Sequence, residues 1–150
     1  MYKHILIPTD GSPASRRAIL DAVRLARALG ARVTGVFAEP PATPILFRNK
    51  LPAGYATPQR NQVLLHRAAV AHLEVIRRAA RAAGVPCRVL SVRSDYPAET
   101  ILQVARQAKC DLIVMASRGR KGLSGMLLGS ETQKVLHASR VPVMVLRGNS

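Results

Sequence analysis

The sequence predicts an α/β fold, a doubly wound parallel sheet of five strands with four helices packed on its two faces. Apolar runs alternate with helix-period patterns from end to end, the signature of repeated βαβ units. The stretch Leu112-Ile113-Val114-Met115 is continuously apolar, as a strand covered on both faces must be. Aromatic residues make up only 3% and Trp is absent, so Ala, Val, Leu and Ile must build the core. Such small side chains suit helices lying close on a sheet.

His4–Thr9 reads as the first strand. Ser12-Pro13 then supplies an N-cap and a Pro at the first helical position. Ala18, Ala22, Ala26 and Leu29 recur at helical spacing beside Ile19, Val23 and Leu25, and Gly30 closes the helix. Val33–Ala38 is the second strand. The segment 39–58, rich in Pro and Gly, is long for a connection inside a compact domain and reads as a lid, a binding loop or a disordered stretch. A long helix begins at Gln59, with His66, Ala69, Leu73, Ile76, Ala80 and Ala83 as its buried stripe and Arg67, Arg77, Arg78 and Arg81 outside. Gly84 and Pro86 stop it. Cys87–Val92 is the third strand, and Asp95 to Pro97 opens a helix with Ile101, Leu102, Ala105 and Ala108 inward. Asp111–Met115 is the fourth strand. After the loop Ala116–Gly129, Ser130 starts the last helix with Gln133 at capping-box spacing, and Val141–Leu146 is the fifth strand.

A chain of 150 residues makes one domain, 1–150, rather than two. At this size a fold buries roughly 68–70% of its unfolded surface, enough for a core without disulfides or metal. No repeat or low-complexity tail is present. The apolar run after Met1 is too short for a signal peptide or a membrane span, which points to a cytoplasmic protein. Cys87 and Cys110, each beside a strand start, then read as reduced thiols, with a disulfide or redox pair as the alternative. His4, His66, His72 and His137 have no ligand spacing, so no protein-bound metal is expected. Lys and Arg total 23 against 8 Asp and Glu, a net charge of +15 that favours anionic ligands or simply solvates the surface. Tyr2, Phe37, Phe47, Tyr55 and Tyr96 are too scattered to form a stacking platform, so nucleic-acid binding is expected to be weak, nonspecific and salt-sensitive.

Ligands of open α/β sheets bind outside the carboxyl ends of the strands, where the strand order reverses. Two strand ends carry suitable residues. The first strand ends in Pro8-Thr9-Asp10-Gly11-Ser12. The fourth runs into a loop with Gly119, Gly122, Gly125 and Gly129, followed by Ser130 at a helix start. Glycines let backbone N–H groups approach phosphate oxygens, and a helix N-terminus adds aligned donors. Arg118, Arg120 and Lys121 add cations, so the parts suit a polyphosphate. Read alone, the segment is equally a flexible glycine-rich loop with a capped helix behind it. Asp10 likewise fits an Asx-type turn or a cap, which does not exclude ligand contact. A P-loop is absent, and no nucleophile with an adjacent base can be assigned. An enzyme is therefore not expected.

The spacing of Gly119, nine residues, then Gly129-Ser130 resembles the nucleotide-binding motif of the universal stress protein family. The flanking Asp111-Leu112-Ile113-Val114-Met115, Gly122-Leu123, Leu127-Leu128 and Val141-Pro142-Val143 resemble it too, as does the opening Lys3–Ser12. The resemblance runs from Tyr2 to Arg147 and leaves only the 39–58 segment unmatched. It implies a Rossmann-like sheet of the adenine-nucleotide α-hydrolase type, order 3-2-1-4-5. It also implies a stress-response module binding ATP or ADP, with Mg2+ as a possible companion, and a homodimer joined through the Val141–Leu146 strand. Carried over, it sets Pro8, Thr9 and Asp10 beside the adenine and ribose, and Ala38 against the base. Met115 and Ala116 fall on the ribose side, and Arg118 and Gly119 approach the phosphates. Gly129, Ser130, Glu131 and Thr132 hold the phosphate tail. Ala116 departs from the motif, which has Gly there. A methyl group is harmless at that position only if φ is negative and the backbone need not touch the ligand. Glu131 would repel phosphate unless turned away or screened. The family includes members that do not bind ATP, so a dimeric scaffold of the same fold, acting on an unknown protein partner, is the alternative.

Overall fold

The computed structural model describes residues 1–41, 58–118 and 128–147. Strands and helices alternate as the periodicity predicts. β1 (His4–Pro8) leads to α1 (Pro13–Leu29), β2 (Arg32–Glu39) to α2 (Pro58–Ala83), and β3 (Cys87–Arg93) to α3 (Pro97–Gln107). β4 (Leu112–Ala116) leads to α4 (Ser130–Ala138), and β5 (Val143–Leu146) completes the sheet. All neighbouring strands pair in parallel, in the order β3-β2-β1-β4-β5. This is the expected doubly wound, Rossmann-like topology with order 3-2-1-4-5.

Strand alternation sends successive side chains to opposite faces, and the two cores follow it. Ile5 and Ile7 of β1 with Leu112 and Val114 of β4 meet Ile19, Ala22, Val23 and Ala26 of α1 and Ala69, Leu73, Ile76 and Ala80 of α2. Leu6, Ile113 and Met115 point the other way, toward Ala98, Ile101, Val104 and Ala105 of α3 and Val135 of α4. Ile5, Leu6, Ile7, Ile76 and Ile113 are fully buried, which gives the sheet centre its dry double layer.

Several boundaries differ from the sequence expectation. Leu29, in the last turn of α1, is 37% exposed. His66 is not buried either: its ring is largely in solvent and reaches Glu39 Oε2 at 3.4 Å. Leu102 and Ala83 are half-buried, and the third helix buries Ala98 and Val104 instead. The fourth strand starts at Leu112 because Asp111 is a clasp outside the ladder. Its carboxylate accepts from the backbone N–H groups of Lys3 at 2.8 Å and His4 at 3.0 Å, tying the start of β1 to β4. Partial burial pushes the Asp111 carboxyl up, but these N–H donors outweigh it and hold it below the ordinary 3.8. The fifth strand starts at Val143, because Pro142 has no N–H to donate and the Ser139 hydroxyl closes a turn on Val141.

Three helices end in one way. The N–H two residues past the last turn reaches back to a carbonyl five residues earlier: Ala31 to Ala26, Val85 to Ala80 and Cys110 to Ala105, each at 2.8 Å. The residue between must adopt the left-handed conformation. Gly30 and Gly84 do so at φ 66° and 68°, but at the end of α3 the position is Lys109, at φ 56°. We expect Lys109→Gly to stabilise the fold by about 0.5–1 kcal/mol, since a Cβ in that region costs roughly this much and glycine's own entropy offsets part of the gain. Urea unfolding checks it; a variant less stable than wild type would contradict the assignment.

Candidate functional site

β1 and β4 are adjacent, and the strand numbering runs outward from them in both directions. Their carboxyl ends therefore flank the crevice where the fold class binds ligands. On the β1 side, Thr9 continues the sheet through its N–H to Val36 O at 2.9 Å. The chain then turns on Asp10, whose Oδ1 accepts from Ser12 N at 2.9 Å and from the Ser15 hydroxyl at 2.8 Å. The Asx turn foreseen for Asp10 is thus present. Thr9 Oγ1 accepts from Gly11 N, and Ser12 Oγ caps α1 by accepting from Ser15 N at 3.2 Å. Asp10 stays half-exposed at the crevice while this net of hydroxyls orients it. Pro8 is buried beneath it.

Gly11 takes φ 79° to make this turn. A Cβ there would collide with the imidazole of His72, which rises from α2 and lies tilted against Phe37 with ring centroids 5.3 Å apart. The turn therefore sits directly on a ring from the neighbouring helix.

On the β4 side, Ala116 ends the strand in register with Leu146. Among the described residues Lys109 is the one non-glycine with positive φ, so Ala116 meets the first condition under which its methyl group is harmless. Its carbonyl accepts from the Thr132 hydroxyl at 3.1 Å. The Ser117 carbonyl accepts from Gly129 N at 2.7 Å. These two bonds clamp the N-terminus of α4 against the end of β4, and they close the mouth of the loop between them. Arg118 is half-buried at that mouth. Met115 packs into the core on the α3 side, so its backbone is what it offers the crevice. Gly119, with Arg120, Lys121, Gly122 and Gly125, lies outside the described residues, as does the segment between Pro41 and Pro58.

The start of α4 departs from expectation. Gly129, not Ser130, is the N-cap, and no side chain caps the helix. Ser130 is exposed at the first helical position, and the Gln133 side chain reaches Leu128 O at 3.1 Å rather than back to a serine. The capping box fails because the cap residue is the glycine clamped by Ser117. The first-turn amides of Ser130, Glu131 and Thr132 have no helix carbonyl to bond, and they carry the positive end of the helix dipole. Glu131 is turned away: Oε2 accepts from Ala98 N at 2.9 Å, capping α3, and Oε1 meets Lys134 Nζ at 3.1 Å. The repulsion expected of it is thereby removed.

Sequence reading missed two features here. Ser15, one turn into α1, holds Asp10; the Ser12-x-x-Ser15 spacing was its only signal. Glu39, after Ala38 at the end of β2, is buried and accepts from the Ser91 hydroxyl at 2.8 Å, while its other oxygen has no partner among the described residues. Ala38 is half-buried beside it, on the opposite face of the strand. No group of His, Cys, Asp or Glu among the described residues could hold a metal ion, and no described helix is long and apolar enough to cross a membrane. Cys87 and Cys110 are free thiols, half-buried and buried respectively.

Comparison with known proteins decides the lineage of this geometry. The model of the universal stress protein family matches residues 1–147. The chain belongs to the universal stress protein family. A universal stress protein of Thermus aquaticus, encoded in the QAH/OAS sulfhydrylase 3′ region, is 36% identical over 148 residues, covering 98% of this chain and 100% of its own. The solved structure of the hypothetical protein MJ0577 superposes with a TM-score of 0.78 at 25% identity, covering 100% of this chain and 99% of that one. A universal stress protein solved in complex with cAMP superposes with a TM-score of 0.68 at 24% identity and covers 97% of each chain, a likeness of fold. In this universal stress protein the crevice beside β1 and β4 is flanked by the Asp10 turn and the N-terminus of α4.

Proposed function

We propose that this chain is a cytoplasmic, adenine-nucleotide-binding regulatory module of the stress response, acting as a homodimer. ATP or ADP, accompanied by Mg2+, lies across the crevice between β1 and β4. Pro8, Thr9, Asp10 and Ala38 take the nucleoside, and the backbone of Met115 and Ala116 borders the ribose. Arg118, Gly119 and the amides of Gly129, Ser130, Glu131 and Thr132 take the phosphates. The observation that carries this reading is the open N-terminus of α4, clamped to β4 by Ser117 and Thr132 with its carboxylate neighbour Glu131 turned away. First-turn amides without a helix carbonyl to bond, at the positive end of a helix dipole, suit an anion, and the family likeness to a protein solved with cAMP supports an adenine nucleotide. Binding, rather than turnover, is the proposed activity, with the Asp10 carboxylate engaged by Ser12 N and the Ser15 hydroxyl in its turn. The second strand edge, Val143–Leu146 with Met144 39% exposed, is the surface through which we propose the dimer forms. The same surface would serve a dimeric scaffold that binds no nucleotide and recognises a protein partner.

The test is to denature freshly purified protein, identify released nucleotide by chromatography, and titrate Mg-ATP calorimetrically, beside Gly129→Asp. Aspartate is a favourable N-cap at φ −67°, ψ 156°, so the variant should fold. Its carboxylate would occupy the α4 amides, and nucleotide affinity should fall by at least tenfold, about 1.4 kcal/mol. Wild type that releases no nucleotide and gives no heat at millimolar Mg-ATP overturns the nucleotide reading and leaves the scaffold.

A further inference from the structure

The crevice lies at the carboxyl edge of the sheet, and the opposite edge carries a second cluster that it does not use. A cleft of about 410 Å3 opens there, lined by His4, Arg32, Thr34, Arg88 and Ala108 among others. Strand register assembles it: His4 pairs with Arg32, and Thr34 pairs with Arg88. His4 is 5% exposed and Thr34 fully buried. The Thr34 hydroxyl accepts from Arg88 Nε at 3.3 Å and lies 2.7 Å from His4 Nε2. A hydroxyl that accepts from Arg88 still has its own proton and a second lone pair, so the direction of its bond to Nε2 follows the ring's tautomer. The other ring nitrogen, Nδ1, is buried and makes no bond of ordinary hydrogen-bond geometry among the described residues, although the Ala108 carbonyl acts on the ring as an acceptor.

The charge of the cleft is one-sided. Neither Arg32 nor Arg88 joins any of the ion pairs found among the described residues. The Asp111 carboxylate accepts from the N–H groups of Lys3 and His4. Burial first, then Arg32 and Arg88, push the His4 imidazole below 6.5, against the pull of Asp111 and the Ala108 carbonyl. Burial raises the Cys110 thiol to about 11 and raises the Cys87 thiol as well, so neither thiol supplies a counter-charge. The carbonyls of Ala105 and Arg106 at the end of α3 are already bonded to Cys110 N and Lys109 N. Arg32 and Arg88 thus line a cavity without an ion-pair partner among the described residues, and Asp111 acts on His4, in a chain of net charge +15.

We propose that this cleft is a second anion site, taking a small tetrahedral oxyanion such as inorganic phosphate or the phosphate of a monoester. Arg32 and Arg88 bind its oxygens, a geometry planar guanidinium forks suit better than ammonium groups do. The His4 ring forms the floor. The site is about 13 Å from the nucleotide crevice along β1, four residue steps of about 3.3 Å, and is independent of it.

Inorganic phosphate is titrated into the full chain at constant ionic strength, and the His4 ring nitrogens and the Arg88 Nε–H are followed by NMR. Saturable shifts at both are expected, with a midpoint weakened at least tenfold by Arg32→Gln or Arg88→Gln and unchanged by Arg67→Gln on the outer face of α2. Arg32→Gln leaves the Thr34 bonds intact, so it tests binding even if Arg88→Gln disturbs the fold. Anion binding should also raise the His4 pKa in wild type and not in Arg32→Gln. A parallel titration with glycerol phosphate distinguishes the sources: tighter binding assigns a monoester, equal or weaker binding the free ion. Non-saturating shifts, shifts retained in Arg32→Gln, or shifts confined to the amides of Ser130 to Thr132 overturn the proposal.

Discussion

Gly11→Ala is expected to lose about 2–4 kcal/mol of stability, the sum of a left-handed backbone penalty and a steric one. The backbone part arises because φ is 79°, where a Cβ strains any L residue. The steric part arises because the new methyl group meets the His72 ring, itself packed on Phe37. The two parts are separable. Gly11→Ala combined with His72→Ala should recover the steric share and leave the backbone share, so the pair is strongly non-additive in urea unfolding. Additive losses would mean that His72 does not support the turn. Because Asp10 and Ser12 belong to the same turn, Gly11→Ala should also weaken nucleotide binding more than its stability loss explains.

The second large effect is expected at Gly35, in the middle of β2. A Cβ there would lie 2.7 Å from Ile76 Cδ1 and 3.1 Å from Val89 Cγ1. Ile76 is fully buried, so it has little room to yield. Gly35→Ala should cost about 1–3 kcal/mol by overpacking, and Gly35→Val more. Gly35 is thus what allows α2 to lie close on the sheet. Ile76→Val, which alone removes a methylene at a cost of about 1 kcal/mol, should cost nothing or even stabilise in the Gly35→Ala background. If Ile76→Val costs the same in both backgrounds, the close approach is not the reason for the glycine.

Much of this protein could be read before its structure. Apolar alternation and helix punctuation located the strands and helices, because the period of burial is written directly into residue order. Ser12-Pro13, Gly30 and Gly84 marked helix ends correctly because capping is local chemistry. The same logic failed at Ser130. There, a tertiary bond from Ser117 to Gly129 chose a different cap. It failed again at His66, whose helical spacing matched the buried stripe while its ring leaned out to Glu39.

The candidate site divides along the same line. Residue order marked the alternating strands and helices, the chemistry at the ends of β1 and β4, and the Asx turn at Asp10, since each is written in residues close together in the chain, whereas the strand order followed from the family resemblance. Only tertiary structure decided that Glu131 caps α3, that Thr132 and Ser117 clamp α4 to β4, and that His72 lies under Gly11. It alone gathered His4, Arg32 and Arg88 into one cleft. Those partners are from 12 to 84 residues apart in the chain. Their meeting depends on strand register and helix packing, which arise from the whole core and leave no local mark in the sequence.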